Sequence, residues 1–318
     1  MNKSMTEINT SPLNIDVSII LVNYNSSQFS INCVNSIIEK SQSALVYEII
    51  IVDNNSDRED WNNLNESLAD NSRVILIKSK VNSGFALGNM TGANIAQGKY
   101  LFLLNNDSIL INDVVQYMFD YMTHNSSVAL SVPKCIDDEN KLVPSFDYLP
   151  SISKVWLGSS FCRLFSPNAY PKRKKEYSAP INVPMVSGCA MFFDAYKFYE
   201  IGGLDTNFFL YCEEEDISLR IKKNGYSISY IPDAIINHEG GGSTSRNIDI
   251  EKEFYISFFY FLDKHFGVIA SSIIKLKYTL RLFLKSLRRK SPWALLLFVL
   301  KRPKLSSSLR HRQKWHDT

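Results

Sequence analysis

Polar side chains follow directly on three runs of apolar, strand-forming residues. The run YLFLLNNDS at 100–108 ends in Asn105, Asn106 and Asp107, and two earlier runs end in the polar stretches 23–26 and 53–56. A dense apolar run without helical period is typical of a strand buried on both faces, and hence of a parallel sheet. Because ligands bind at the carboxyl ends of such strands, this edge is predicted to carry a site. A plain Asn-Asp turn is the alternative interpretation of NNDS.

A second chemical feature is the run of four acids from Glu213 to Asp216. Carboxylates this close repel one another, which raises the pKa of one of them toward the range of a general base. The same acids suit the N-terminus of a helix, and Gly225 suits its end. In the alternative interpretation Glu215 only caps that helix, while Asp216 pairs with Arg220 one turn later.

The elements that must position these groups follow a βαβ pattern. Strands are predicted at 17–25, 48–56, 74–79, 100–107 and 128–133, with a helix at 27–40, and regular structure resumes at 187–195 and 226–234. This alternation predicts an α/β fold with a mainly parallel central sheet and flanking helices. Five prolines lie between Lys134 and Pro184, and this segment is predicted to form a long irregular excursion, with one short helix around 155–165.

Composition limits the class of protein. The chain has 318 residues, of which 45% are hydrophobic and 21% charged, as in ordinary globular proteins. Its five cysteines are scattered without a CxxC pair, and the first 14 residues contain no apolar core of a signal peptide. Both observations favour a reducing, cytoplasmic location.

The C-terminal part of the chain has its own character. Residues 275–318 contain 13 Lys and Arg and one Asp, so the net charge of +3 divides into about +12 for this segment and −9 for the rest. Apolar residues recur at helical spacing from Ile269, but no apolar run reaches the roughly 20 residues of a spanning helix. These amphipathic, basic helices are predicted to lie on an anionic membrane surface, and no nucleic-acid partner is expected. Packing of the apolar stripe on the rest of the protein is the alternative.

Four stretches resemble the inverting glycosyltransferases of family 2, which have the GT-A fold. They are VDNNS (52–56), NSGFALGNMTGANIAQGKYLFLLNNDS (82–108), SGCAMFF (187–193) and GGLDTNFFLYCEEEDISLR (202–220). The sequence is most similar to the rhamnosyltransferase-like branch that acts in bacterial polysaccharide and O-antigen assembly. The resemblance implies transfer of a sugar, with rhamnose as a candidate, from a dTDP- or UDP-sugar to a hydroxyl of a lipid-linked glycan. The enzyme would be peripheral on the inner face of the cell membrane.

The resemblance also implies a division of the chain. It covers roughly residues 15–245, which are predicted to form the GT-A domain after a flexible N-terminus at 1–14. Residues 246–318 are then predicted to form a helical, basic, membrane-associating region.

The resemblance assigns donor-binding roles. Asn105-Asn106-Asp107 stands at the family's Asp-x-Asp motif, so Asp107 is expected to hold a divalent cation, Mg²⁺ or Mn²⁺, with His238 as a second contact to the metal or the diphosphate. Asp53 stands where the family accepts the imide N–H of uracil or thymine, although an Asx turn is an alternative. The stretch GGGSTS at 240–245 is expected to close over the phosphates. The further donor-binding candidates are Asn23, Asn25, Asn82, Gly84, Phe85, Asn105, Asn106 and Gly188.

The catalytic assignment follows from Glu213-Glu214, which stands at the family's Glu-Asp position. Glu214 is predicted to be the general base of a single displacement, and Glu213 to support it or replace it. Since Asn105 replaces an acid, a catalytically weak nucleotide-sugar-binding membrane scaffold protein is a second hypothesis. His124 and His265 are interpreted as structural. The aromatic candidates for the acceptor side are Trp156, Phe208, Phe209 and Tyr211, of which Phe208 and Phe209 are equally interpretable as core.

Overall fold

The computed structural model of the protein describes residues 14–42, 44–238, 247–288 and 293–313. Its first part alternates strands with helices, because apolar β-branched runs alternate with amphipathic segments. These elements are β1 (Val17–Asn23), α1 (Ser27–Lys40), β2 (Tyr47–Asp53), α2 (Arg58–Leu68), β3 (Val74–Lys78), α3 (Gly84–Ala93), β4 (Tyr100–Leu104), β5 (Ser108–Leu110), α4 (Val114–His124) and β6 (Val128–Ile136).

The middle of the chain contains short elements, and helices dominate its end. The short elements are β7 (Leu142–Val143), β8 (Phe146–Asp147), α5 (Ile152–Leu157), α6 (Ser159–Phe165), a 3₁₀ turn (Pro167–Ala169), β9 (Ile181–Asn182) and β10 (Met185–Val186). They are followed by β11 (Ala190–Asp194), α7 (Ala195–Glu200), α8 (Glu213–Lys223), β12 (Ser227–His238), α9 (Ile248–His265), α10 (Val268–Arg288), α11 (Trp293–Leu300) and the 3₁₀ turns Leu305–Ser307 and Leu309–Arg312.

The main sheet has the strand order β3-β2-β1-β4-β11-β6-β12-β5. Neighbours pair in parallel from β3 to β4 and again between β6 and β12, whereas β11 is antiparallel to both β4 and β6. Strand β4 lies between β1 and β11, and all five of its residues are buried. The predicted α/β fold and the two-sided burial of YLFLL are therefore confirmed.

The two faces of the sheet carry separate cores. Along β4, Leu101 and Leu103 point to one core, and Phe102 and Leu104 to the other, as the period of a strand requires. Helices α1, α2 and α4 cover the second core. Helices α8 to α11 cover the first.

Some predicted boundaries are wrong. The strands predicted at 17–25, 48–56 and 100–107 end at residues 23, 53 and 104, because the polar residues that follow leave the sheet in turns. The excursion at 134–184 is more regular than predicted. Strand β6 continues to Ile136 with β7 as its partner, and two helices stand in place of one, separated at Gly158.

The C-terminal helices share a core with the sheet. Phe261, Ile274 and Leu296 belong to the same apolar cluster as Leu101 of β4. Helix α10 packs against the protein with one face, so that the predicted stripe on its other face stays exposed, including Leu284 and Leu287, which are 57% and 60% exposed. None of the helices in the described part of the chain is long and apolar enough to cross a membrane. The predicted boundary at 245/246 lies outside the described residues and stays a prediction.

Candidate active site

Two adjoining cavities open at the carboxyl ends of β1, β2 and β4. We call the larger one, of about 430 Å³, the strand-edge cavity, and the smaller one, of about 190 Å³, the acidic cavity. The two share Phe85, Asn105 and Leu210 in their walls. This is the sheet edge at which the polar strand ends predicted a site.

The structure brings most of the predicted site residues into these walls. The strand-edge cavity is lined by the predicted residues Asn82, Gly84, Phe85, Asn105 and Asn106. The acidic cavity is lined by the predicted residues Phe85, Asn105, Gly188, Glu213, Glu214 and His238. Asp107 lies next to the acidic cavity through its contact with His238.

Asp107 and His238 form an ion pair, since Nδ1 of His238 is 3.2 Å from Oδ1 of Asp107. The sheet makes this contact, because β12 pairs antiparallel with β5 and sets His238 opposite Ser108. Burial by itself lowers the pKa of His238. The hydrogen bond to Asp107 and the nearby negative charge outweigh that effect and raise this pKa to about 9.

The side chains at this position supply only some of the ligands that a hard cation needs. Among the described residues, no group of three His, Cys, Asp or Glu side chains is arranged to hold a metal ion. Asp107 supplies carboxylate oxygen, and His238 supplies an imidazole nitrogen once a bound cation has displaced its proton, so the protein offers two ligands. Mg²⁺ and Mn²⁺ are commonly held by one or two carboxylates together with substrate phosphates and water. The residues therefore fit a cation that binds together with a diphosphate.

The acids of α8 enter the acidic cavity because of an unusual turn. Tyr211 and Cys212 both have left-handed backbone conformations, with φ of 73° and 69°, directly before the helix begins at Glu213. Such conformations cost of order 1–3 kcal/mol each and persist where the surrounding structure imposes them. Burial raises the pKa of Glu213 and Glu214, and for Glu213 the charge of Glu214 adds to the rise.

Glu214 lies against Gly188 in the wall of the acidic cavity. A Cβ atom built on Gly188 would be 3.7 Å from both Cδ and Oε1 of Glu214. Glu214 is half-buried, whereas Glu213 is almost fully buried. Of the two acids that line the acidic cavity, Glu214 is therefore the one that combines a raised pKa with access to a ligand.

The last acid of the run is structural. The carboxylate of Asp216 is fully buried and accepts from Arg220, as predicted, with a nitrogen–oxygen distance of 2.7 Å. It also pairs with Lys264 and His265 of α9, each at 2.6 Å. The structural interpretation of His265 is therefore confirmed, and the cluster joins α8 to α9.

Three predicted donor-binding residues, Asn23, Asn25 and Asp53, do not line the strand-edge cavity. The carboxylate of Asp53 is fully buried and accepts from Asn23 Nδ2 at 2.9 Å and from the backbone N–H of Ser56. Asn25 is exposed, and its side chain accepts from the backbone N–H of Asp57. These bonds hold the ends of β1 and β2 together. The bond from Ser56 to Asp53 is the turn that was the alternative interpretation of Asp53. A contact of Asp53 with the base of a nucleotide stays a prediction.

The loop before α3 closes tightly on the loop before α8. Phe85 donates its backbone N–H to the carbonyl of Phe209 at 2.7 Å, and a Cβ atom at Gly84 would come within 2.1 Å of that same oxygen. Gly84 has a φ of 80°, which favours glycine. Asn82 accepts from the N–H of Gly84 and so shapes the turn. This contact joins the two loops that line both cavities.

The predicted aromatic residues divide into three groups. Phe208 is fully buried core. Phe209 lines the strand-edge cavity, and Tyr211 lines the acidic cavity. Trp156 lies elsewhere, on α5, where the Lys277 ammonium is 4.5 Å from its ring centroid.

Several cavity residues were not predicted. Tyr24, Ser26 and Asn54 belong to the strand ends that the pattern had marked, so they could have been found. Four more come from the C-terminal region, which no sequence signal connects to this edge: Asn247, Ile250, Leu309 and Gln313. The predicted stretch GGGSTS at 240–245 lies outside the described residues.

Comparison with known proteins identifies the family. The model of the family described as "Glycosyl transferase family 2" matches residues 18–202. The chain is 25% identical over 237 residues to polypeptide N-acetylgalactosaminyltransferase 11 of Xenopus tropicalis, covering 72% of this chain and 39% of that protein. It is 26% identical over 141 residues to N-acetylglucosaminyl-diphospho-decaprenol L-rhamnosyltransferase of Mycobacterium tuberculosis, covering 42% and 46%. The chain thus spans less than half the length of either relative.

Solved structures show the same fold at low sequence identity. GalNAc-T7 with UDP, GalNAc and Mn²⁺ superposes with a TM-score of 0.59 at 17% identity, covering 79% of this chain and 48% of that one. The mannosyltransferase PcManGT from Pyrobaculum calidifontis, in complex with GDP-Man and Mn²⁺, gives 0.55 at 13% identity, covering 78% and 63%.

Proposed function

The chain belongs to glycosyl transferase family 2, and on this premise we propose that it transfers a sugar, with inversion, from a nucleotide-sugar donor to a hydroxyl of a lipid-linked glycan. The observation that carries the proposal is the position of Glu214. Its carboxyl group lies in the acidic cavity against Gly188, and this cavity shares wall residues with the strand-edge cavity. A base placed there can reach an acceptor while the donor occupies the larger space.

The strand-edge cavity is assigned to the nucleoside of the donor. Its volume of about 430 Å³ is within the range of small-molecule sites. Tyr24 and Phe85 offer aromatic faces, while Asn54, Asn82 and Asn105 offer amides for a base and a ribose. A pyrimidine base is proposed, with UDP- and dTDP-sugars as the donors. The relatives with solved structures hold UDP in one case and GDP-Man in the other.

Asp107 and His238 are assigned to the diphosphate end of the donor. Mg²⁺ or Mn²⁺, held by Asp107 with His238 beside it, would neutralise charge on the leaving diphosphate. Asn105 is shared by both cavities and is therefore placed to orient the transferred sugar.

The chemical step is a single displacement. Glu214 accepts the proton of the acceptor hydroxyl as its oxygen forms a bond to the anomeric carbon. The bond from that carbon to the diphosphate oxygen breaks, and the electron pair leaves with the nucleoside diphosphate. A raised pKa makes the Glu214 carboxylate a stronger base than an ordinary glutamate, and general bases work best when their pKa is near the operating pH.

The lipid-linked acceptor is proposed to reach the enzyme from a membrane surface. Helices α10 and α11 expose large apolar side chains next to lysines and arginines, which suits an interfacial position on anionic lipid at the inner face of the cell membrane. The region 246–318 would thus be membrane-associating, although its inner face packs on the GT-A domain proposed for 15–245. Rhamnose is proposed as the sugar because one relative is named a rhamnosyltransferase.

The proposal is tested by release of nucleoside diphosphate from UDP-, dTDP- and GDP-sugars, with Mg²⁺ or Mn²⁺ and a lipid-diphosphate glycan acceptor. Glu214→Gln is expected to lose 10²–10⁴-fold in turnover and to keep its affinity for the donor, because only proton transfer is removed. Glu139→Gln is the matched control, since this exposed glutamate lies outside both cavities. Donor binding without turnover by any acceptor would favour the alternative of a nucleotide-sugar-binding scaffold, which is suggested by Asn105 standing in place of an acid.

A further inference from the structure

A third cavity, of about 470 Å³, lies between α9, α10 and the start of α11. Tyr211 is common to its wall and to the acidic cavity, and Ile250 is common to its wall and to the strand-edge cavity. This cavity, which we call the helical cavity, therefore adjoins the site on the side away from the sheet. A ligand that extends from it past Tyr211 enters the cavity that holds Glu214.

The wall of the helical cavity combines aromatic rings with two cations. Phe254, Tyr255 and Tyr278 supply rings, while Arg281 and Lys285 stand one helical turn apart on α10. Within the part of the chain that the structure describes, neither Arg281 nor Lys285 forms an ion pair. Two cations without an ion-pair partner on one helix suit a phosphate-bearing ligand, since charge-assisted bonds to phosphate oxygen are the strong ones.

The surface around the cavity is apolar. Beyond Arg281 and Lys285, helix α10 exposes Leu284 and Leu287, and α11 exposes Leu297. A ligand with an anionic end and a long hydrocarbon chain matches this arrangement, because the anion meets the cations while the chain follows the leucines. A neutral glycan would leave the cations without a partner.

We propose that the helical cavity is the subsite for the diphosphate of a lipid-diphosphate acceptor, with Arg281 and Lys285 as its ligands, so that the attached saccharide reaches Glu214 past Tyr211. This rests on the proposed function and names the acceptor class and its subsite. The nucleotide's own diphosphate belongs at Asp107 and His238, on the other side of the acidic cavity.

Glu251 gives the cavity an internal control. It is an exposed glutamate in the same wall, and its negative charge opposes an anionic ligand. Removing this charge is expected to strengthen binding, whereas removing the cations weakens it. A structural effect of either change would not reverse sign in this way.

The test is isothermal titration of the full chain with farnesyl diphosphate as the probe. Arg281→Ala/Lys285→Ala is expected to weaken binding at least about tenfold, since two charge-assisted contacts are lost. Glu251→Gln should tighten binding a few-fold. Lys301→Ala/Lys304→Ala removes the same charge from two exposed lysines outside the cavity and should leave affinity unchanged.

Three further probes identify the source of the phosphate. Farnesol and inorganic pyrophosphate are each expected to bind more weakly than farnesyl diphosphate, because each lacks one half of the ligand. Competition by glycerophosphoglycerol, the soluble headgroup of phosphatidylglycerol, that abolishes farnesyl diphosphate binding would overturn the acceptor assignment in favour of a phospholipid headgroup. Equal losses of affinity for farnesyl diphosphate in Arg281→Ala/Lys285→Ala and in Lys301→Ala/Lys304→Ala would also overturn the assignment.

The inference and the proposed function can fail separately. Binding of nucleotide sugar is measured on the same samples. If the donor binds and turns over while farnesyl diphosphate does not bind, only the subsite is wrong. If farnesyl diphosphate binds as expected and no nucleotide sugar does, the proposed function fails and the anionic lipid site stands.

Discussion

The carboxyl group of Glu214 lies against Gly188, so that a Cβ atom on residue 188 would be 3.7 Å from Cδ of Glu214. The two residues come from different elements, the start of α8 and the turn before β11. Only the absence of a side chain at 188 leaves this face of the carboxylate open to the cavity.

Gly188→Ala is therefore expected to lower kcat at least about tenfold with little change in affinity for the donor, because a methyl group would cover the carboxylate where the acceptor hydroxyl approaches. Steady-state kinetics and titration with UDP measure the two effects. Gly267→Ala is the matched control, since no atom lies within 4 Å of the Cβ position there. Equal activity of the two variants would contradict the role of Gly188.

The acidic limb of the pH profile of kcat/KM should be governed by a pKa above the ordinary range of glutamate. Burial raises the pKa of Glu214 from 4.5, and the base must be deprotonated to accept a proton, so activity falls as the pH falls through this raised value. Glu213, Glu215 and His238 also titrate near the cavity, so the dissociation constant of the donor must be measured across the same pH range. A limb shared by donor binding would assign it to another group.

Glu213 is expected to reduce stability at neutral and alkaline pH. Burial, followed by the charge of Glu214, raises its pKa well above 4.5 in the folded protein. A carboxyl group with a raised pKa costs no stability below the unfolded value and destabilises as the pH rises through the folded value. Glutamine carries no charge, so Glu213→Gln should flatten the fall in the free energy of unfolding that begins as the pH rises above 4.5, by about 1.4 kcal/mol for each unit by which the pKa is raised. Denaturant titrations at several pH values measure it, and parallel pH curves for both proteins would refute it.

Gly84→Ala is expected to break the contact between the loops before α3 and α8. The added Cβ would lie 2.1 Å from the carbonyl oxygen of Phe209, in a residue with φ of 80°. Gly225→Ala separates the two causes, since Gly225 has φ of 82° and no atom near its Cβ position. The control should lose only the backbone term of about 1–2 kcal/mol. Gly84→Ala should lose more than that in the free energy of unfolding, together with affinity for UDP.

Asp216→Asn is expected to destabilise the protein at neutral pH. Although burial raises the pKa of Asp216, the hydrogen bond to His265 and the charges of Arg220 and Lys264 outweigh it and lower this pKa to about 2. Because the folded pKa is depressed, the stabilisation is present above the unfolded value of 3.8 and is lost as the pH falls toward 2. Breaking a buried ion pair costs about 3–5 kcal/mol.

The control for Asp216 is Asp249→Asn, because Asp249 pairs with Lys252 on the surface and such pairs contribute at most about 1 kcal/mol. Denaturant unfolding at pH 7 and at pH 3 measures both variants. A loss for Asp216→Asn that does not shrink at the lower pH would show that packing, and not charge, is responsible.

Local patterns predicted much of the site. The three polar strand ends were found because parallel strands place their carboxyl ends at one edge, whatever the exact strand limits are. The acids of α8 were found because like charges and a helix start leave a local signature. The paired helices α5 and α6 were missed, since short, proline-flanked helices in an irregular segment carry little periodicity.

Sequence by itself predicted the α/β fold, the sheet edge that carries the cavities, and the presence of Asp107 and the Glu213–Glu214 pair at or beside them. Tertiary structure alone decided that Asp53 is buried outside the cavity wall, that His238 reaches Asp107, and that α9 and the turn at 309–312 contribute to the wall of the strand-edge cavity. The reason is physical: periodicity and turn residues report on neighbours within a few positions, whereas contacts such as Asp107–His238 and Gly84–Phe209 join residues more than 100 positions apart. Such contacts are selected by packing of the whole chain, which no local pattern records.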